Sequence, residues 1–114
     1  MRAEVGLLSR NILVKGDDAT SVTKKYGSHL MMVGSEEDGM VSHIAYTAFT
    51  QCGQPQILGR YCIHFHMNGD VPKSYAIGNA VYDSFARVIT IHGVHYLTVK
   101  WNVGHRVSGH NFFV

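Results

Sequence analysis

Short β-rich runs recur along this chain, separated by polar turns. They are Asn11–Val14, His29–Val33, Ser42–Phe49, Arg60–Phe65, Arg87–His92, Tyr96–Lys100 and Asn111–Val114. Gly16-Asp17-Asp18, Gly34-Ser35, Gly53-Gln54-Pro55, Asn68-Gly69-Asp70, Gly93, Gly104 and Gly109 punctuate them. No window of useful length carries apolar residues at the helical period with caps at both ends. Regularly spaced short strands predict a sandwich, a barrel or a solenoid, and an internal repeat separates these.

Such a repeat is present. A shift of 26 lays Ile63 on Ile89, Phe65 on Ile91 and His66 on His92. A shift of 22 lays Val81 on Val103 and Phe85 on Val107, and a shift of 23 lays Ile89-Thr90-Ile91 on Phe112-Phe113-Val114. A period of roughly 22 to 27 residues suits one coil of a parallel β-helix. The fold class read from the sequence is therefore all-β, a right-handed parallel β-helix (solenoid) of about four to five coils, as a single domain over residues 1–114. Inward ladders Ile63–Ile89–Phe112 and Phe65–Ile91–Val114 are expected. One coil cannot bury its inner face alone, so the rest of the same polypeptide is expected at both ends.

Composition narrows the class. Hydrophobic residues make up 46% of the 114, which excludes a disordered chain. Charged residues make up only 16%, and the chain has 12 glycines, as turn-rich all-β proteins do. A net charge of +2, with only Lys24-Lys25 adjacent among the scattered basic residues, gives no case for nucleic acid. No apolar stretch is long enough to insert in a membrane, and Met1–Val5 does not read as a signal peptide. Cys52 and Cys62 are ten apart. Either a disulfide or two small buried hydrophobes fits that spacing.

Several runs resemble a known family. They are Arg2–Ile12, Phe49-Thr50-Gln51-Cys52-Gly53-Gln54, Leu58–Val71 with its Tyr61-Cys62-Ile63-His64-Phe65-His66 core, Asp83–Gly93, and Gly104–Phe113. Together they resemble the β-helical region of fibrocystin-L and of the cell-surface hyaluronidases (the cell migration-inducing and transmembrane ones), with the Thr-Gln-Cys-Gly-Gln and Tyr-Cys-Ile-His-Phe-His motifs closer to fibrocystin-L. The resemblance implies an extracellular or cell-surface location. It also implies a β-helical module that follows a G8 domain in a large ectodomain, and a glycosaminoglycan or other extracellular glycan as partner. Hyaluronan binding and depolymerisation, with calcium dependence, are linked to the hyaluronidase relatives. Two functions are expected from this: an extracellular scaffold or glycan-binding surface, or a hyaluronan-depolymerising domain.

The candidate chemistry centres on eight histidines. Residues i and i+2 of a strand face one side, so His64 and His66 are candidate metal ligands. The repeat stacks His92 beside His66. A divalent cation, calcium or zinc, is the candidate cofactor. The alternative is a hydrogen-bonded imidazole ladder that only supports the stack. Glycoside hydrolysis uses two carboxylates roughly 5 to 10 Å apart. Of the eight acids, Asp70 and Asp83 are the best-placed pair, and with His92 they form the candidate catalytic set. Arg60, Arg87 and His110 are the candidate substrate-binding residues, because a guanidinium can grip a sugar carboxylate. Alternatively, each arginine bonds to a neighbouring turn.

Overall fold

A computed structural model describes residues 3–114; Met1 and Arg2, the latter the first residue of the Arg2–Ile12 motif, lie outside the described residues. Strands β1 (Ile12–Lys15), β2 (Leu30–Val33), β3 (His43–Ala45), β4 (Thr47–Thr50), β5 (Ile63–Asp70), β6 (Tyr75–Ile77), β7 (Ala80–Ser84), β8 (Ile89–His95), β9 (Thr98–Lys100), β10 (Val103–Val107) and β11 (Phe112–Phe113) follow in chain order, with a one-turn helix α1 (Ser21–Lys24) after β1. They gather into three sheets of order β1-β4-β7-β10, β11-β8-β5-β2 and β3-β6-β9. Every pairing between these strands is parallel.

This arrangement corrects the expected right-handed solenoid of four to five coils. The strands form three separate short sheets, and none holds more than four strands. The physical reason lies in the corners. Tyr46, in left-handed backbone at φ 49°, is the single residue between β3 and β4, so the apolar run Ser42–Phe49 splits into two strands of different sheets. A left-handed residue cannot continue a strand. Such corners recur in columns. Tyr46, Gly78 and Trp101 share one, with φ of 49°, 65° and 54°. Gln51, Asp83 and Arg106 share another, at 48°, 51° and 50°. At Gly78 the ring of Tyr46 lies so close that a Cβ would meet it at 2.6 Å, so glycine is required there on two counts.

The three sheets enclose a core of Ile63, Phe65, Val71, Val81, Val88 and Ile89, each no more than 1% exposed. Burying each such side chain stabilises the fold by about 1.5–3 kcal/mol. The shift of 26 is the observed register: Ile63 pairs with Ile89, Phe65 with Ile91 and His66 with His92. The shift of 23 holds for Phe112 on Ile89. The shift of 22 does not, because Val103 pairs with Ala80 and Gly104 with Val81. Val114 falls outside β11 and is 92% exposed, so it completes no ladder.

Polar side chains also tie the layers together. Asn79 is fully buried; its Oδ1 accepts from the Thr47 N–H at 3.1 Å, and its Nδ2 donates to the Ile44 carbonyl and to Asn102 Oδ1. Asn102 Nδ2 donates in turn to the Ala76 carbonyl. A disulfide joins Cys52 to Cys62, both fully buried, and staples the loop of residues 53–61 against the outer face of β5.

Candidate metal centre

The site grows from the alternation of β5. With Ile63 and Phe65 in the core, His64 and His66 emerge together on the other face. Parallel pairing with β8 sets Thr90 beside His64 and His92 beside His66. The disulfide-closed loop then folds over the first of them. His64 Nδ1 lies 2.8 Å from the Gly59 carbonyl, and His64 is only 2% exposed. A carbonyl can only accept, so Nδ1 carries the proton and Nε2 is left with a bare lone pair. That Nε2 is buried and has no hydrogen-bond partner.

His66 and His92 complete the group. Their Nδ1 atoms are 3.2 Å apart, and ligand nitrogens of His64, His66 and His92 lie within 4.8 Å of one another. Burial falls along the trio from His64 through half-buried His66 to exposed His92. Burial above all, with smaller contributions from nearby His66, His92 and Arg87, holds the His64 pKa below the ordinary imidazole value; the Gly59 carbonyl pulls the other way. The shift favours the neutral ring, the form that binds a metal.

The three rings line a cavity of about 360 Å³, walled by Met31, Leu58, Tyr61 and Phe113 and bordered by Arg87 and Thr90. Arg87 stacks on Phe113 with its guanidinium carbon 3.7 Å from the ring centre, and it donates to the Tyr61 hydroxyl at 3.3 Å. The Thr90 hydroxyl, on a residue 2% exposed, has no partner.

Of the residues expected from the sequence, the fold therefore brings together His64, His66, His92 and Arg87. It leaves the others elsewhere. Asp70 lies beyond a register break between His66 and Gly69, pairs with His95 and does not line the cavity. Asp83 sits in a different sheet, in a two-bond ion pair with Arg106 at 2.7 and 2.8 Å. The two acids thus form no pair about a common cleft. Arg60 donates to Tyr26 and Gln54, binding neighbouring loops. His110 rests on Phe113 in an adjoining groove that also meets Arg87. Sequence reasoning passed over Gly59, Thr90 and Phe113. The overlay of His64 on Thr90 was a signal for Thr90; the Gly59 carbonyl carries none.

An all-β domain of parallel sheets with a histidine-lined cavity on one sheet is the class of protein these features define. The chain belongs to the CEMIP beta-helix family, whose model matches residues 25–114. It is 38% identical over 99% of its length to a G8 domain-containing protein of Dictyostelium discoideum, 34% identical over its whole length to the human cell surface hyaluronidase CEMIP2, and 33% identical over 99% of its length to mouse fibrocystin-L. It spans only 7%, 9% and 4% of those three proteins. Among the described residues, no helix is long and apolar enough to cross a membrane.

Proposed function

We propose that this chain is a metal-binding module of an extracellular, cell-surface protein, holding a zinc-type ion on His64, His66 and His92. The observation that carries the reading is the buried, unpartnered Nε2 of His64, on a ring that lines the same cavity as two further imidazoles. Zinc takes nitrogen ligands at about 2.0–2.1 Å in tetrahedral geometry, which sets ligand atoms roughly 3.3 Å apart. The 3.2 Å between the His66 and His92 nitrogens fits that edge, and exposed His92 has freedom to adjust. Calcium prefers six to eight oxygens, and no carboxylate lines this cavity. Three protein ligands leave a fourth position free for a ligand.

Cell-surface placement rests on the relatives, among them a cell surface hyaluronidase. A ligand-binding surface fits the cavity better than a plain scaffold, which needs no cleft. Hydrolysis by Asp70 and Asp83 has less support, since one lies outside the cavity and the other is engaged by Arg106. The test is zinc titration of metal-depleted protein by calorimetry. One ion per chain is expected, with binding much weakened in His64→Ala. Equal zinc uptake by wild type and by a His64→Ala/His66→Ala/His92→Ala variant would overturn the reading.

A further inference from the structure

We infer that the three histidines hold copper(I) in preference to zinc, with the Met31 thioether as the fourth ligand. This rests on the metal-binding reading above and names the ion that the donor set and its surroundings favour.

Charge separates the two ions. No acid lines the cavity, and Arg87 stands at its border with no ion pair among the described residues. Imidazoles bind a metal in their neutral form, so an ion held by three of them keeps its full charge. The cost of placing an ion among apolar walls grows with the square of its charge. A divalent ion therefore costs roughly four times as much there as a monovalent ion of equal size. The walls of Met31, Leu58 and Phe113 and the positive neighbour weigh against zinc more than against copper(I). Copper(I), like zinc, has a filled d shell that imposes no geometry of its own. The 3.2 Å edge between His66 and His92 suits either ion.

Softness points the same way. Strand β2 sets Met31 in register with His64. Met32 is buried opposite Phe65, so alternation turns Met31 to the outward face that His64 occupies. Both side chains close on Gly59: a Cβ added there would meet the Met31 methyl at 3.2 Å and His64 Cε1 at 3.7 Å. Met31 lines the same cavity as the three histidines. It is 36% exposed, and its unbranched side chain is free to turn the sulfur toward an ion. Thioether sulfur is a soft donor that selects copper(I), and imidazole suits copper as well as zinc. Zinc is held by nitrogen, oxygen and thiolate, and so leaves Met31 aside. Both cysteines are spent on the Cys52–Cys62 disulfide. In an oxidising setting that keeps such a bond, thiols pair off, whereas a thioether has no S–H to give up and remains available as the soft ligand.

The experiment titrates the full chain with copper(I), kept reduced by ascorbate, in competition with bicinchoninate, and separately with zinc. One copper(I) per chain is expected, bound at least about 100-fold more tightly than zinc and displacing it. Silver(I), a redox-inert ion of the same charge and softness, is then added to protein carrying isotope-labelled methionine methyls. The Met31 methyl resonance, assigned in the wild type by its through-space contact with Gly59, is expected to move with silver(I) and to hold its place with zinc. Met31→Leu should lose about tenfold in copper(I) affinity beyond any loss in zinc affinity, with thermal melts confirming that the variant folds. Absence of zinc and copper(I) binding alike would remove the metal site itself. Zinc bound as tightly as copper(I), a Met31 resonance that silver(I) leaves unmoved, or an equal loss of both ions in folded Met31→Leu would overturn the copper site and leave the zinc reading standing.

Discussion

The Nδ1–H of His64 donates to the Gly59 carbonyl at 2.8 Å, and this bond decides which nitrogen the ring leaves without a partner. Gly59 belongs to a loop closed by Cys52–Cys62. The covalent staple, the ring orientation and the free Nε2 are therefore one chain of cause. A metal-ligating histidine whose second nitrogen is anchored to a carbonyl binds better, because the tautomer and orientation are set beforehand.

Loss of a ligand should be graded by burial. Zinc affinity is expected to fall by at least about 100-fold in His64→Ala, more than the 10–100-fold typical of an outer partner. His92→Ala, at the exposed end of the trio, should lose less, since water can take its place. Competition with a chromophoric chelator gives both constants. A larger loss at His92 than at His64 would reverse the assigned order.

The disulfide should support stability and metal binding together. Closing a loop of about ten residues is worth roughly 2.5 kcal/mol in the chain-entropy account. Cys52→Ser/Cys62→Ser is expected to lower unfolding free energy by about that amount or more, since both positions are fully buried. In the folded fraction it should also weaken zinc binding, because Gly59 is no longer held over His64. Urea unfolding and zinc titration of the same variant separate the two effects.

Stability of the metal-free protein should depend on pH through His64. Its pKa in the folded state lies below the ordinary imidazole value of about 6.5, with burial as the main cause. Between the folded value and about 6.5, the unfolded chain binds more protons, so stability rises with pH there. The contribution is complete above about pH 6.5 and is lost progressively as pH falls toward the folded value. Denaturation midpoints of wild type and His64→Gln at pH 7.5, 6.5 and 5.5 check this. The wild type should drop more steeply; parallel curves would clear His64 as the source.

Two structural positions offer controls away from the site. Asn79→Ala strands the Thr47 N–H and the Ile44 carbonyl in the interior, and each orphaned group costs about 1–3 kcal/mol. A loss of about 3 kcal/mol is expected by urea unfolding. Gly78→Ala meets both a positive φ of 65° and the Tyr46 ring, so it should cost more than about 1 kcal/mol. Removing the ring in Tyr46→Ala/Gly78→Ala relieves only the second part.

The sequence alone determined the strand-rich character, the register of β5 on β8 and the pairing of His66 with His92. Those follow from a period of two along each strand and from a repeat of apolar positions, both written in residue order. It also marked His64, His66, His92 and Arg87, since residue type and spacing carry their chemistry. Only the tertiary structure decided how the strands divide among three sheets, because left-handed corners at ordinary residues such as Tyr46, Asp83 and Arg106 leave no compositional mark. It also separated Asp70 from the histidines through a register break, and spent Asp83 on Arg106. The burial of His64 was likewise beyond the sequence. Alternation turns that ring outward, and only the stapled loop passing over it makes an outward histidine an interior one with a single free nitrogen.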